Sequence, residues 1–405
     1  MRSDIIARID TDRLVHNFQA IRAKCGPDVL ICATLKGDAY GHGITAVAPV
    51  LQAAGVDHAA VATLQEAVEL RNAGWHRPIL VLGNVLAVAD ERERRERVRA
   101  IVKYQPTLTI TDMDAVATLA MVNLDSAIDV HIKVDTGMGR MGCLPDAVLT
   151  LIQAVRETPC LNLRGIYSHL ATADIQQHDL ARRQCATFAS LLRDVRSFLP
   201  PGVIRHIANS SATITMPEAW FDMVRPGLAL FGYPPATHMA ELIDLRPVMR
   251  LVSHLALIKE LPPGHCVGYG QTFTTERHTI LGIVPIGYCD GYLRSLSNAA
   301  IVSTPAGDAP VIGRVSMDNL AVDLTDLPPL KLGAEVTLID DDPERPNSVV
   351  SLARHLGMIP YELTCLLGRR IQRVQVGKSC ARPTLWRTEL NRNSITDRCV
   401  RHVVE

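Results

Sequence analysis

Several apolar segments of this sequence end in polar or charged residues whose types are suited to chemistry. The residues at these ends are Lys36, Lys133 with Arg140, His169, Asn209 with Ser210 and Ser211, and Arg225 with Gly227. Any one of them alone carries little weight. Five segments that end in this way predict a common site, provided that the fold brings their ends together.

This combination of residue types is suited to pyridoxal phosphate chemistry. A buried lysine with cationic neighbours has a lowered pKa and can form a Schiff base with the cofactor aldehyde, and Lys36 is the candidate. The protein tunes the cofactor through the partner of its pyridine nitrogen. Backbone N–H groups and hydroxyls around Asn209, Ser210 and Gly227 could hold the phosphate. The sequence therefore predicts a pyridoxal 5'-phosphate site.

Each of these residues also has an ordinary structural interpretation. Lys36 could be a surface lysine at the end of a strand, and His169 could be a core histidine with satisfied hydrogen bonds. Tyr40 and Tyr361 could be core tyrosines, although aromatic residues make up only 4% of the chain and each one therefore merits inspection. His42, in the segment GDAYGHG, is interpreted as a turn residue. The catalytic interpretation depends on the segments occurring together.

The elements that would position these residues follow a regular alternation of strand-like and helix-like segments. The apolar runs lie at 29–35, 59–63, 78–83, 107–111, 128–135, 163–170, 203–209 and 222–232. Strands that alternate with helices predict a parallel sheet, and eight such units favour a closed (β/α)8 TIM-like barrel. In such a barrel, functional groups collect at the carboxyl ends of the strands. A doubly wound open sheet is the alternative.

The chain changes character after about residue 240. Segments such as TILGIVPIGYCDGY and AEVTLIDDD are rich in β-branched residues and are interrupted by Pro and Gly, which predicts strands and turns. We therefore predict a barrel domain over residues 1–240, a mainly β domain over 241–380 and a polar C-terminal tail over 381–405.

Composition argues against several classes of function. Lys plus Arg equals Asp plus Glu at 42 each, so nothing favours binding to nucleic acid or to a membrane surface. The N-terminal segment lacks the apolar stretch of a secretory signal, and no apolar run approaches the about 20 residues that cross a bilayer. Ten cysteines are scattered without a CxxC pair. This pattern predicts reduced thiols, a cytoplasmic location and no metal site.

The motifs themselves resemble those of a known family. VLICATLKGDAYGHG resembles the cofactor-lysine motif of the alanine racemases, which are pyridoxal phosphate enzymes of fold type III. Further segments are similar to the family's other signatures, in the family's order: HIKVDTGMGRMG, YSHLATAD, HIANSSAT, MVRPGLALFGY, VGYGQTF, PIGYCDGY, GRVSMDN and IPYELTC. The resemblance covers about residues 5 to 376 and implies a homodimer with shared active sites.

The resemblance implies two catalytic bases. Lys36 would bind the cofactor and act on one face of the substrate Cα, and Tyr269 from the second subunit would act on the other face. Two opposed bases can exchange the proton of L-alanine or D-alanine without turning the substrate over. His169 would orient Arg225, which would face the pyridine nitrogen. Arginine does not readily give up a proton, so that nitrogen should stay unprotonated.

The remaining implied roles concern the cofactor, the substrate and access to the site. Cofactor binding would be completed by Tyr40, Arg140, Asn209, Ser210, Gly227, Leu228 and Tyr361. Arg140 would also lie near the substrate carboxylate, and Lys133, which matches a lysine that is often carbamylated, would brace Arg140. Met317 and Asp318 would line the substrate pocket, and Tyr288 the entry channel.

Other functions stay open on the sequence alone. A racemase of broader preference, acting on serine or on larger amino acids, would share these motifs, and pockets of this kind discriminate by only about 1–3 kcal/mol. The resemblance implies that Tyr361 crowds the substrate side chain, which favours alanine. A non-catalytic pyridoxal phosphate-binding protein would lack the β domain and Tyr269. D-Alanine supply for peptidoglycan and alanine catabolism are both compatible with the motifs.

Overall fold

The helices and strands of this computed structural model are described for residues 5–121 and 127–379. The strands are β1 (Ile6–Asp10), β2 (Leu30–Thr34), β3 (His58–Val61), β4 (Ile79–Val81), β5 (Thr107–Ile110), β6 (Ile128–Lys133), β7 (Leu161–Tyr167), β8 (Ile204–His206), β9 (Met223–Val224), β10 (Met249–His254), β11 (Leu257–Leu261), β12 (Cys266–Val267), β13 (Phe273–Thr274), β14 (Thr279–Val284), β15 (Ile301–Thr304), β16 (Gly307–Pro310), β17 (Leu320–Asp323), β18 (Glu335–Ile339) and β19 (Gln372–Val376). The helices are α1 (Thr11–Cys25), α2 (Lys36–Tyr40), α3 (Ile44–Ala54), α4 (Leu64–Asn72), α5 (Glu91–Tyr104), α6 (Met113–Ala120), α7 (Val148–Glu157), α8 (Asp179–Asp194), α9 (Ser210–Thr215), α10 (Val349–Leu356) and α11 (Pro360–Cys365). The predicted tail at 381–405 lies outside the described residues.

The strands β2 to β9 form a parallel barrel. Their spatial order is β8-β7-β6-β5-β4-β3-β2-β9, and every neighbouring pair in this order is parallel. Two backbone hydrogen bonds close the remaining seam between β8 and β9. They run from Asp222 N to Arg205 O and from Arg225 N to Ala208 O, at 3.0 Å each. The (β/α)8 barrel prediction is confirmed, and the open doubly wound sheet is wrong.

The local sequence explains why these segments form barrel strands and outer helices. All residues of β4 and β5 are buried, as expected for strands of a parallel sheet that is covered on both faces. The outer helix α8 buries Ala181, Cys185, Phe188 and Leu192, which recur at helical spacing along one face. The apolar stripes of such helices therefore cover the outside of the barrel and fix the strand ends in space.

The second half of the chain is mainly β, as predicted. A six-stranded sheet has the order β16-β15-β18-β10-β1-β19, and a three-stranded sheet has the order β11-β14-β17. The first strand of the chain, β1, pairs with β10 and β19 and so belongs to this second half. The sequence pattern did not indicate that placement, and the predicted boundaries at 240 and 380 stay a prediction. None of the helices in the described part of the chain is long and apolar enough to cross a membrane.

Gly232 provides a test of the junction between the two halves. Its φ is +88°, and a Cβ atom there would lie 1.9 Å from the carbonyl oxygen of Arg246. Gly74 has the same φ of +88°, but a Cβ atom there would meet open space among the described residues. A substitution at Gly74 therefore measures only the free-energy cost of placing a side chain on a left-handed backbone. We expect Gly74→Ala to lower the free energy of unfolding by about 1–2 kcal/mol. Gly232→Ala should cost clearly more.

Urea denaturation of both variants measures this difference. Equal losses for the two substitutions would contradict the close approach of Gly232 to Arg246.

Candidate active site

A cavity of about 300 Å³ lies at the carboxyl ends of the barrel strands. Its lining residues are Thr34, Lys36, Tyr40, Ala62, Leu82, Gly83, Lys133, Arg140, Met141, Tyr167, His169, Asn209, Ser210, Arg225, Gly227 and Tyr361. The sequence-predicted site residues are all among them except Ser211, Leu228, Tyr269, Tyr288, Met317 and Asp318. The structure therefore brings the predicted strand ends together around one cavity.

The lining of the cavity is cationic. Lys36, Lys133, Arg140 and Arg225 contribute to it, and none of the described carboxylates does. Burial, Arg140 and Arg225 lower the pKa of Lys36, although Glu66 opposes the shift. Burial, followed by Arg225 and Arg140, lowers the pKa of Lys133 to about 8. The cavity is therefore suited to an anionic ligand and to lysines that can act as neutral amines.

Arg225 is buried against neutral hydrogen-bond acceptors. Its Nη1 donates to Nδ1 of His206 at 2.6 Å, and its Nη2 donates to the carbonyl oxygen of Ser168 at 2.8 Å. Nη2 also lies 3.3 Å from Nδ1 of His169. Burial and the nearby cations hold the pKa of His169 well below its ordinary value, so this ring is neutral and can accept. His169 thus contacts Arg225, where the prediction placed it.

Hydroxyl groups gather on another side of the cavity. Gly227 N donates to Oγ of Ser210 at 2.8 Å, and a Cβ atom at Gly227 would lie 2.5 Å from the hydroxyl of Tyr40. The ring centroids of Tyr40 and Tyr361 are 5.7 Å apart. The absence of a side chain at Gly227 is what allows Tyr40 to approach.

Two residues predicted for cofactor binding have other engagements. The side chain of Asn209 caps α9, where its Oδ1 accepts a hydrogen bond from Ala212 N at 3.0 Å. Leu228 is fully buried and does not line the cavity, although it follows Gly227 directly. Any contribution of Leu228 to a ligand would therefore come from its backbone, whereas Asn209 lines the cavity.

The backbone immediately after Lys36 is left-handed. Gly37, Asp38, Ala39 and Tyr40 have φ values of 63°, 52°, 56° and 54°. The turn α2 is therefore a left-handed helical turn, a conformation that costs about 1–2 kcal/mol for each residue other than glycine. Such strain persists only where the surrounding structure over-determines it.

Glu66 holds the beginning of this left-handed turn. One oxygen of its carboxylate accepts the N–H of Gly37 at 2.6 Å. The other oxygen accepts the N–H groups of Ala62 and Thr63 at 2.7 and 3.0 Å. The same carboxylate thus joins the start of α4, in a capping box with Thr63, to the residue that follows Lys36.

His42 holds the end of the turn. Its Nδ1 lies 3.0 Å from the carbonyl oxygens of both Ala39 and Tyr40. Since carbonyl oxygens only accept, Nδ1 must carry the proton and donate to them. Burial lowers the pKa of His42 to about 4, which keeps the ring neutral. His42 is thus a turn residue, as its sequence context indicates.

The remaining predicted residues are exposed and belong to the β half. Tyr269, in the loop between β12 and β13, is 73% exposed, and Met317 is 52% exposed. Cys289 N donates to the carbonyl oxygen of Met317 at 3.1 Å, which joins the loop of Tyr288 to that of Met317. Arg370 donates to Asp318 at 2.8 Å. None of these residues lines the cavity of its own chain.

Sequence reasoning missed several residues around the cavity. Tyr167 and Thr34 line it, and each precedes a predicted site residue by two positions. Because side chains alternate along a strand, residues two apart point to the same side, so this signal was present. Glu66 could have been found as the last residue of a Thr-x-x-Glu capping box, but its bond to Gly37 depends on the fold.

Comparison with known proteins gives a consistent assignment for both halves of the chain. Family models described as the N-terminal and C-terminal domains of alanine racemase match residues 9–235 and 248–375. The chain is 36% identical to alanine racemase 1 of Clostridium acetobutylicum over 375 residues, covering 91% of this chain and 95% of the relative.

Solved structures agree with this comparison. The chain is similar to alanine racemase of Clostridium difficile, with a TM-score of 0.86 and 31% identity, over 94% of this chain and 97% of the other. It is also similar to alanine racemase of Bacillus anthracis with bound L-Ala-P, with a TM-score of 0.85 and 30% identity, over 94% of this chain and 96% of the other.

The role of Glu66 in the left-handed turn can be tested by mutation. Glu66→Ala removes the acceptor of three backbone N–H groups, and we expect the free energy of unfolding to fall by at least about 2 kcal/mol. Glu69→Ala, on the same helix, removes a carboxylate that, among the described residues, accepts only from the exposed side chain of Gln65. It should change the free energy of unfolding by less than about 0.5 kcal/mol. Urea denaturation measures both, and similar values for the two variants would contradict the role of Glu66.

Proposed function

This chain belongs to the alanine racemase family and is an amino-acid racemase, and on that premise we propose how it acts. It interconverts L-alanine and D-alanine with pyridoxal 5'-phosphate, and the opposed bases are Lys36 and the partner subunit's Tyr269. The observation that carries the proposal is the cavity itself, in which Lys36 lies among three further cations and none of the described carboxylates. Such a lining suits a cofactor that carries a phosphate and a phenolic oxygen.

The residues present fit this cofactor. The hydroxyls of Tyr40, Ser210 and Tyr361 line the cavity and would bind the phosphate, and Arg225 would donate to the ring nitrogen. Among the described residues, Nε of Arg225 has no hydrogen-bond acceptor, so this donor is available to a ligand. When bound, pyridoxal phosphate supplies an electron sink that acidifies the Cα–H of an attached amino acid.

Lys36 is suited to move the proton on one face of the substrate. Its lowered pKa increases the fraction of neutral amine, which can accept a proton, and the ammonium form then returns one. Arg140, which is exposed at the mouth of the cavity, would bind the substrate carboxylate. Arginine suits that role because its guanidinium binds carboxylates in a bidentate manner.

The second base requires a second subunit. Tyr269, Tyr288, Met317 and Asp318 do not line the cavity of their own chain, and each of them is exposed. In a homodimer with shared sites, these residues would cover the partner's cavity. An ordinary tyrosine has a pKa near about 10, so the partner subunit's Tyr269 would need the cationic cavity to act as a base.

We also propose a substrate preference and a physiological role. Tyr361 would crowd the substrate side chain and favour alanine over serine or larger amino acids, with broad specificity as the alternative. The product would supply D-alanine for peptidoglycan, or the reaction would begin alanine catabolism. A non-catalytic carrier of the cofactor would have no use for Tyr269.

Chiral chromatography tests the reaction and its substrate. The purified holoenzyme is incubated separately with L-alanine, L-serine and L-lysine. We expect rapid racemisation of alanine, strong loss in Tyr269→Phe, and no change in Tyr104→Phe, a matched substitution on α5. Comparable conversion of serine or lysine would establish broad specificity instead. No conversion of any substrate would contradict the proposal.

Subunit mixing tests the shared site directly. Lys36→Ala and Tyr269→Phe should each be nearly inactive as homodimers. If the site is shared, a mixed dimer contains one intact site, and random mixing should restore about one quarter of the wild-type activity. If Tyr269 acts within its own chain, mixing restores nothing.

We also propose that Lys133 carries a carbamate that braces Arg140. The neutral amine attacks CO₂, an N–C bond forms and one proton is released. Because the pKa of Lys133 is about 8, raising the pH from 6 to 8 deprotonates more of the amine and should increase the carbamate. With ¹³CO₂ held at constant concentration, ¹³C NMR of the holoenzyme should show a carbamate signal that is lost in Lys133→Ala and kept in Lys259→Ala. A signal that is absent, or that persists in Lys133→Ala, would overturn this assignment.

A further inference from the structure

Two buried histidines continue the hydrogen bonding of Arg225 into the barrel interior. His206 Nδ1 lies 2.6 Å from Nη1 of Arg225, and His206 Nε2 lies 2.9 Å from Nδ1 of His131. His206 is fully buried and His131 is 3% exposed. His131 does not line the cavity and takes no part in the proposed function.

The protons in this chain of contacts can be assigned from chemistry. Arginine only donates hydrogen bonds, so Nδ1 of His206 must be the unprotonated, accepting nitrogen. The proton of neutral His206 is then on Nε2, from which it is donated to Nδ1 of His131. His131 must in turn carry its own proton on Nε2. For both contacts to form, each ring must therefore be the Nε2–H tautomer.

We propose that His131 is a positioning residue for the racemase reaction. By accepting from Nε2–H of His206, it holds His206 in the tautomer that accepts from Arg225, and so it fixes the direction of the Arg225 guanidinium. The catalytic consequence rests on the proposed function, in which Arg225 faces the cofactor, whereas the tautomers themselves do not depend on it.

The surrounding structure restrains the two rings, and the contacts with Arg225 and His131 together select the tautomer of His206. The ring of Tyr167 stacks on His206 at 4.7 Å with an interplanar angle of 6°, and its hydroxyl lies 2.8 Å from Oγ1 of Thr109. A Cβ atom at Gly165 would lie 2.5 Å from the His131 ring, so this glycine makes the space for it. In the described part of the chain, neither ring has a carboxylate partner.

Both rings are also held in the neutral state. Burial and nearby cationic groups lower the pKa of His131 to about 3 and that of His206 well below its ordinary value. A neutral ring has two tautomers, and the wrong one would place the N–H of His206 against the N–H of Arg225 at 2.6 Å. That repulsion would turn the guanidinium away from its present direction.

Histidine-labelled ¹⁵N NMR of the holoenzyme measures the tautomers. Long-range ¹H–¹⁵N correlation spectra distinguish Nδ1–H from Nε2–H, and the His131→Asn and His206→Asn variants assign the two spin systems. We expect both histidines to be neutral Nε2–H tautomers in the wild-type protein. Finding His206 protonated on Nδ1, or as an imidazolium, would overturn the proposal.

Two substitutions at His131 distinguish the effect of its hydrogen-bond acceptor from the effect of the space that its ring fills. Asparagine can place an amide oxygen near the position of Nδ1, whereas leucine fills similar space without an acceptor. We expect His131→Asn to keep Nε2–H on His206 and most of kcat. His131→Leu should give mixed His206 tautomers and a fall in kcat of about 10- to 100-fold with little change in KM, as expected for a misdirected catalytic group.

The possible results distinguish the positioning role of His131 from the proposed racemase activity. Equal activity in the asparagine and leucine variants, with His206 unchanged in both, would overturn the positioning role. If His131→Leu does not fold, the wild-type spectrum and the asparagine variant still decide the question. If the predicted tautomers are present but the enzyme racemises no amino acid, the proposed function fails while the tautomer assignment stands.

Discussion

The carboxylate of Glu66 accepts the N–H of Gly37, and the geometry of the site depends on the left-handed turn that begins there. Because the chain turns in this unusual sense, Lys36 and Tyr40 both line the cavity although only three residues separate them. The turn also contacts the second half of the chain. A Cβ atom at Gly41 would lie 1.9 Å from the carbonyl oxygen of Thr364, which belongs to the helix that carries Tyr361. This strained turn therefore positions Lys36 and Tyr40 in the cavity. Through the contact of Gly41 with the helix that carries Tyr361, it also joins the barrel to the β half.

The other organising feature is positive charge that no described carboxylate in the cavity neutralises. Arg225 bonds to histidine nitrogens and backbone carbonyls, which orient a guanidinium without neutralising it. Lys36, Lys133 and Arg140 face the same cavity. Burying cations without partners is costly, so the free protein carries this cost and an anionic ligand relieves it. Burial, followed by these same charges, lowers the pKa of Lys36 and of Lys133, which the proposed chemistry needs.

The barrel and most of the cavity could be predicted from sequence because their signals are local. Strand–helix alternation indicated the barrel, and the barrel in turn placed Lys36, His169 and Arg225 at one end of it. The left-handed backbone could not be predicted, because Asp38 and Ala39 have no local preference strong enough to require it. The contact of Glu66 with Gly37 joins two separate barrel units and is visible only once they are packed. The exposure of Tyr269 likewise depends on the tertiary position of its loop.

The placement of β1 has a consequence for the order in which the protein can fold. Ile6 pairs with Val252 on one side and with Gln372 on the other, so its strand lies between segments that are synthesised much later. On the ribosome, barrel segments emerge before either neighbour of β1 exists, and the N-terminal strand must wait unpaired. Such non-local pairing slows folding and leaves a strand edge exposed to self-association. The last described strand, β19, completes the sheet that the first described strand, β1, began.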